Sequence, residues 1–242
     1  MTKIALDTNI WIYLTKDTFY ELWIKLKKGK EDGDFEIIVN DIILKEWKRN
    51  KSRTVKNLVD NIKSEYKSAL NLSRYFLTEE RDRFVQTLSF YKEERNRIIK
   101  AEERVDEIES FMNSCTIINT TQQQKLFISD LAIEKLPPFQ NNKNCFNDSL
   151  IVRNIAEYVK SEFPFQYDLI YVSNNPDDFI DKQTKEIYPD LLKGLEHVRI
   201  KNVTELGEAL KLAPEVIEDF DAWLEQQLDD QAMYELDIRR GK

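Results

Sequence analysis

Residues 3–14 read KIALDTNIWIYL, an apolar run that stops at three polar residues and then resumes at once. This pattern predicts a short buried strand over residues 4–6 followed directly by a helix, which is typical of the first unit of an α/β sheet. Asp7 is then expected at the carboxyl end of that strand. Because open α/β sheets bind ligands at this edge, Asp7 is a candidate site residue. The alternative is that Asp7 only caps the helix that follows it.

Three later segments continue the alternation of strands and helices. The apolar runs EIIVN (36–40), YDLIYV (167–172) and EHVRI (196–200) are predicted to be strands. Helices are predicted to follow the first two strands, to begin near Asn147, and to span residues 203–212. Strands that alternate with helices predict a parallel central sheet covered on both faces, which is a three-layer α/β/α fold.

A basic helical insertion is expected over about residues 50–115. Apolar residues scattered along it, including Tyr75 and Phe90, are predicted to face inward, while Arg97 is predicted to belong to a cationic wall. Such a charged surface is either a solvated face with ion pairs four residues apart or an arm that contacts RNA.

The domain organisation follows from the same segments. Residues 1–212 are expected to form one α/β domain that contains the insertion. Residues 213–242 are acidic and carry apolar residues at helical spacing, so they predict a C-terminal helical extension.

The composition narrows the function classes. The chain has 44 Asp and Glu against 36 Lys and Arg, which disfavours a simple cationic coat for nucleic acid but permits an enzyme whose metal ions reverse the local charge. Cys115 and Cys145 lack the spacing of a zinc site or a disulfide framework. His197 is the only histidine, and no nucleophile lies beside it, which disfavours Ser-His-Asp catalysis. We expect no signal peptide and no membrane span. Because the two cysteines indicate no disulfide framework, a reducing cytoplasm is the simplest compartment.

Acidic residues recur where the predicted sheet has its carboxyl edge. Glu46 lies beside the apolar stripe of the helix after the second strand, Asp148 lies in the first turn of a later helix, and Asp178 follows the third strand. Ordinary alternatives exist: that Glu46 simply extends into solvent from the edge of the apolar stripe, and that Asp148 only interacts with the dipole at the start of its helix. Convergent carboxylates repel one another unless a hard cation neutralises them, so the set predicts a Mg²⁺ or Mn²⁺ site suited to phosphodiester hydrolysis.

Taken together, these motifs resemble the PIN-domain ribonucleases, most closely the VapC-like toxins of bacterial toxin–antitoxin pairs. The matching positions are Asp-Thr-Asn at 7–9, Glu46, Asp-Ser-Leu-Ile at 148–151, and Ser-Asn-Asn at 173–175 followed by Asp178. The resemblance covers about residues 1–50 and 136–212. It implies a metal-dependent endoribonuclease with Asp7, Glu46 and Asp148 as catalytic metal ligands, which leaves 5′-phosphate and 3′-hydroxyl ends.

The resemblance also implies roles for further residues. Asn175 stands at a ligand position where the family often has aspartate, and Asp178, or less favourably Asp177, would supply the missing charge as a catalytic metal ligand. The remaining expected roles are orientation of the carboxylates by Asn9 and Ser173, and contact with substrate phosphate by Lys143 and Arg49.

Partners and alternatives follow from the same comparison. The resemblance implies an RNA substrate, an antitoxin or other protein partner, and a homodimer. Asn175 keeps open a second hypothesis, a catalytically degenerate PIN-like module that binds nucleic acid or protein without cleavage. A haloacid-dehalogenase-type phosphatase also begins with a strand-end aspartate, but it needs a second aspartate two residues later, where this chain has Asn9.

Overall fold

The computed structural model describes residues 2–141, 145–159 and 169–213. Its strands are β1 (Thr2–Leu6), β2 (Phe35–Asn40), β3 (Thr116–Ile118), β4 (Leu169–Val172) and β5 (Ile200–Val203). They form one parallel sheet in the order β3-β2-β1-β4-β5. The predicted α/β/α class with a parallel central sheet is confirmed.

Helices occupy most of the chain between the strands. They are α1 (Thr8–Tyr13), α2 (Tyr20–Asp32), α3 (Asp41–Leu72), α4 (Thr78–Leu88), α5 (Glu94–Asn113), α6 (Gln122–Ile133), α7 (Phe146–Val159) and α8, whose described part is 206–213. Local sequence accounts for several boundaries. Asn40 caps α3 by accepting a hydrogen bond from the backbone N–H of Ile42 at 2.7 Å, and Gly33 ends α2 with a φ of 78°. Over the described residues, no helix has the length and apolar character needed to cross a membrane.

The sheet brings several chain segments to one edge. β1 is the central strand, and Leu6 at its end lies beside Val172 of β4. The backbone N–H of Asp7 donates to the carbonyl of Val172 at 2.9 Å, so the pairing extends one residue past the strand. Parallel strands end on the same side, and Asp7 and Ser173 therefore leave the sheet next to each other.

The two outer strands of the sheet depart from the sequence prediction. β3 and α6 were not predicted, and β5 runs from Ile200 to Val203 instead of over residues 196–200. Accordingly, α8 begins at residue 206 rather than 203. Both strands are short, and most of their residues are only partly buried or exposed, so they lack the continuous apolar run of a central strand.

The insertion is helical as predicted, but two expectations about its side chains were wrong. Tyr75 is 87% exposed and Phe90 is 41% exposed, because α4, which is described over its full length, buries none of its residues and provides no second layer. Arg97 is buried rather than solvated, and its guanidinium donates to the carbonyls of Tyr91 and Lys92, both at 2.7 Å. The predicted helical extension lies, apart from its first residue, outside the described residues.

Candidate carboxylate site

Asp7 is the most buried acid at the carboxyl edge, with 5% of its surface exposed. Its Oδ1 accepts a hydrogen bond from the backbone N–H of Thr8 at 2.6 Å, and its Oδ2 accepts one from the hydroxyl of Ser173 at 3.0 Å. Asp7 is thus the N-cap of α1. The capping role and a place in the candidate site are compatible, because each carboxylate oxygen accepts more than one hydrogen bond or ligand.

Glu46 lies in the second turn of α3 and is half-buried beside the apolar stripe. The hydroxyl of Thr8 donates to its Oε2 at 2.7 Å, and the side-chain amide of Asn147 donates to its Oε1 at 2.9 Å. Since Thr8 belongs to α1 and Asn147 to α7, these bonds tie three helices together at the sheet edge. The carboxylate of Glu46 is therefore held in a fixed orientation.

Asp148 and Asp178 complete the group. Asp148 is half-buried in the first turn of α7. Asp178 belongs to a short 3₁₀ helix, Pro176–Asp178, and accepts a hydrogen bond from the side-chain amide of Asn175. The backbone N–H of Asn175 in turn donates to the hydroxyl of Ser173 at 3.3 Å, which connects this turn to Asp7.

Burial and neighbouring carboxylates raise the pKa of two acids at this edge, Asp148 and Asp7. Burial first, and then the charges of Asp7, Asp178 and Glu46, raise the pKa of Asp148 to about 7. Burial also raises the pKa of Asp7, against the lowering effect of its bonds from Ser173 and Thr8, and the charges of Glu46 and Asp178 raise it further. Carboxylates affect one another in this way only at short range or through a poorly screened interior. The four side chains therefore form one electrostatic unit.

This unit has the donor chemistry of a site for a hard divalent cation, because all its ionisable groups are carboxylates. Within the described ranges, however, no three Asp, Glu, His or Cys side chains already stand close enough to hold a metal ion. The four acids match Mg²⁺ or Mn²⁺ in type and charge, while a complete coordination shell would require the side chains to draw closer together.

The other residues that were predicted to belong to the site make no described contact with the four acids. Asn9 is exposed, and within the described residues it makes no hydrogen bond to the four acids, because Thr8 has the position that faces Glu46. Arg49 is exposed on α3, one turn beyond Glu46. Asp177 is exposed and forms an ion pair with Lys182 at 2.6 Å. Lys143 lies outside the described residues.

Two side chains that orient Glu46 were missed in the sequence. Thr8 and Asn147 each stand immediately next to a predicted acid, Thr8 after Asp7 and Asn147 before Asp148. That adjacency was the available signal. Neighbours of a helix-terminal acid are held at the same edge, so their polar side chains reach the acids contributed by other elements.

Together, the fold and the site define a class: a parallel α/β protein with clustered carboxylates at the carboxyl edge of its sheet. The model of the PIN domain family matches residues 4–179, and the chain belongs to that family. PIN domains are generally nucleases that act on RNA or other nucleic acids and use divalent metal ions. Comparison with curated proteins and with solved structures finds no match.

Proposed function

We propose that the protein is a metal-dependent endoribonuclease that hydrolyses phosphodiester bonds at the carboxylate site. The observation that supports this most is the position of Asp7, Glu46, Asp148 and Asp178 at one sheet edge, where burial, and then the charges of the other three acids, raise the pKa of Asp148 to about 7. An arrangement of this kind opposes folding when no cation is present, so its retention is better explained by ligand binding than by stability.

In this proposal, Asp7, Glu46 and Asp148 hold a Mg²⁺ or Mn²⁺ ion, and Asp178 is a further catalytic ligand. When bound, the ion supplies Lewis-acid chemistry that activates water and neutralises charge on the phosphate group. Asn175 would add a neutral oxygen ligand.

The chain's own groups orient the proposed ligands. Ser173 and the backbone N–H of Thr8 fix Asp7, while the hydroxyl of Thr8 and the amide of Asn147 fix Glu46. Each oxygen that accepts one of these bonds retains a second lone pair for an ion. Asp148 would bind as the carboxylate, so it must give up its proton near neutral pH before or as the ion enters.

The test is cleavage of end-labelled RNA by the purified wild type and by the variants Asp7→Asn, Asp148→Asn and Asp177→Asn, with Mn²⁺, with Mg²⁺ and with EDTA. We expect discrete products that require a divalent ion, and a loss of at least about 100-fold in rate for the first two variants. Asp177→Asn is the matched control, because its side chain is exposed and paired with Lys182. Full activity of Asp7→Asn, or undiminished cleavage in EDTA, would contradict the proposal.

A second hypothesis concerns a degenerate site that binds without cleavage. It is kept open by Asn175, which replaces a charged ligand with a neutral one and donates to Asp178. Absence of cleavage under all three conditions, with RNA still bound by the protein, would favour this hypothesis over the nuclease.

Several finer assignments rest on the resemblance to VapC-like toxins. We propose a cytoplasmic toxin or defence effector with an antitoxin or other protein partner, a homodimeric state, and a nuclease domain over residues 1–212 with its insertion at about 50–115. Induced expression in bacteria should arrest growth with the wild type and leave growth normal with Asp7→Asn. Equal toxicity of both proteins would refute the toxin assignment.

A further inference from the structure

We propose that the solvent face of α3 binds the backbone of a nucleic-acid strand and leads it away from the carboxylate site. The face carries five exposed cations, Arg49, Arg53, Lys56, Lys63 and Lys67, which we call the α3 stripe. The inference deepens the proposed function and rests on it, since it concerns how the substrate of that same site is held.

Helix geometry places the α3 stripe on one side. Successive residues of an α-helix turn by about 100°, so its five cations fall within roughly 80° of one another. The buried residues Trp47 and Leu58 lie on the other side of the helix. Glu46, which belongs to the carboxylate site, lies at the edge of the exposed face. The stripe therefore begins one helical turn from the site and continues along the insertion.

The charges of the α3 stripe are not balanced in the way that is usual for a solvated helix. Within the described part of the chain, none of the five cations forms an ion pair, whereas Lys51 on the packed side of α3 pairs with Asp106 at 2.8 Å and also with Glu109. Two pairs within the stripe, Arg49 with Arg53 and Lys63 with Lys67, place like charges four residues apart.

Like charges at this spacing destabilise a helix, whereas Glu–Lys pairs would stabilise it. Between Arg49 and Lys67 there are two acids. Asp60 lies on the same face between Lys56 and Lys63 but forms no ion pair within the described residues, and Glu65 contacts Asp17 instead. The remaining exposed positions between these cations are mostly Asn and Ser, which also hydrogen-bond to phosphate. In a chain with a net charge of -8, a row of cations beside an acidic site marks a local surface for a polyanion.

The length of the stripe fits a strand of several nucleotides. Lys67 follows Glu46 by 21 residues, which corresponds to about 32 Å of helix. A stacked strand rises by about 3.4 Å per nucleotide, so this distance spans roughly nine nucleotides. A short oligonucleotide at the site would reach Arg49 and Arg53 but not the two distal lysines.

The test measures RNA binding by the full chain carrying Asp7→Asn, in EDTA, so that no cleavage occurs. Fluorescence anisotropy is recorded with labelled single-stranded RNAs of about 24 and about 6 nucleotides. The stripe variant adds Lys63→Gln and Lys67→Gln, which lie too far along α3 to touch the carboxylates. The matched control adds Lys25→Gln and Lys28→Gln, which remove the same charge from exposed positions of α2.

We expect the stripe variant to bind the longer RNA about tenfold more weakly than its parent and the shorter RNA equally well. The slope of log affinity against log salt concentration should become shallower by about 1.4, since each lost phosphate contact on a single strand contributes about 0.7. The α2 control should match the parent. A DNA strand of the same sequence should show the same loss, because the stripe would contact phosphates.

Equal binding of the longer RNA by the stripe variant and the α2 control would overturn the inference. The two proposals fail separately. If the wild type cleaves RNA but the stripe variant binds the longer RNA as tightly as its Asp7→Asn parent, the role of the α3 stripe is wrong and the nuclease stands. If the wild type never cleaves RNA but the stripe variant loses affinity, the nuclease is wrong and the role of the α3 stripe stands.

Discussion

Replacing Asp148 with Asn should stabilise the ion-free protein at alkaline pH, even though it removes a proposed ligand. Burial and the charges of Asp7, Asp178 and Glu46 raise the pKa of Asp148 from 3.8 to about 7 in the folded protein. The folded state therefore binds a proton more tightly than the unfolded state. The contribution of Asp148 is most favourable below its unfolded pKa and is lost as the pH rises through about 7.

The size of the effect follows from the shift. The pKa of Asp148 rises by about three, and each pKa unit corresponds to about 1.4 kcal/mol. Full ionisation of Asp148 therefore lowers the free energy of unfolding by about 4 kcal/mol. This is an upper value, because the neighbouring acids share the repulsion. Asn has nearly the same shape as Asp but no charge. The substitution therefore removes a favourable interaction with the N-terminal dipole of α7, which contributes under about 1 kcal/mol. We expect Asp148→Asn to be more stable than the wild type by about 1–3 kcal/mol at pH 8.

The assay is urea unfolding followed by circular dichroism, in EDTA, at several pH values between about 5 and 8. The difference in free energy of unfolding between the wild type and Asp148→Asn reports the titration of Asp148, because the other titrating residues are common to both proteins. This difference should grow as the pH rises. Asp177→Asn serves as control, since its exposed ion pair with Lys182 contributes under about 1 kcal/mol. A difference that does not change with pH, or a variant less stable than the wild type at pH 8, would refute the reasoning.

Three further predictions concern single contacts. Thr8→Val removes the hydroxyl that donates to Glu46 and should lower the cleavage rate about 10- to 100-fold, with recovery in Thr8→Ser; unchanged rates in the Val variant would show that this bond is dispensable. Gly29→Ala places a Cβ 2.4 Å from the ring of Phe35, so thermal unfolding should reveal a loss of about 1–3 kcal/mol despite the better helix propensity of Ala. Burial raises the pKa of Cys115 to about 11, and its thiol should resist iodoacetamide at pH 8 until the protein unfolds; rapid labelling of the native protein would contradict this.

The central part of the fold was predictable because its strands are buried on both faces. β1 and β2 carry continuous apolar runs, and each leads into a helix that a polar residue caps, Asp7 directly after β1 and Asn40 at the end of β2. β3 and β5 lie at the two edges of the sheet and have no such run. Pattern alone does not distinguish a short edge strand from a loop, since its pairing is supplied by the neighbouring strand.

In the insertion, the sequence predicted the helices but not which side chains are buried. Its helical character follows from its composition, but the exposure of Tyr75 depends on whether another layer packs against it, which local sequence does not specify. Arg97 was expected in solvent, yet two backbone carbonyls accept hydrogen bonds from its guanidinium in the interior. A buried arginine is recognisable only once the chain segment that offers those carbonyls is in place.

The acids of the candidate site were predicted from their positions. Of the side chains that hydrogen-bond to them, Ser173 was predicted, whereas Thr8 and Asn147 were not. Asp7 and Asp178 each follow a strand, while Glu46 and Asp148 each lie within the first two turns of a helix, so topology alone brings them to one edge. The bonds that orient Glu46 come from residues distant in sequence, and their geometry depends on how three helices pack.

Titration of the ion-free protein with Mn²⁺ by calorimetry at pH 7 tests the central claim most directly, because it measures binding at the carboxylates without requiring the right RNA. Repeating the titration in buffers of different ionisation enthalpy counts the protons released. We predict at least one ion bound per chain, release of up to about one proton as Asp148 ionises, and loss of the binding in Asp7→Asn. Failure of the wild type to bind Mn²⁺, or equal binding by Asp7→Asn, would contradict the assignment of these acids to a metal site.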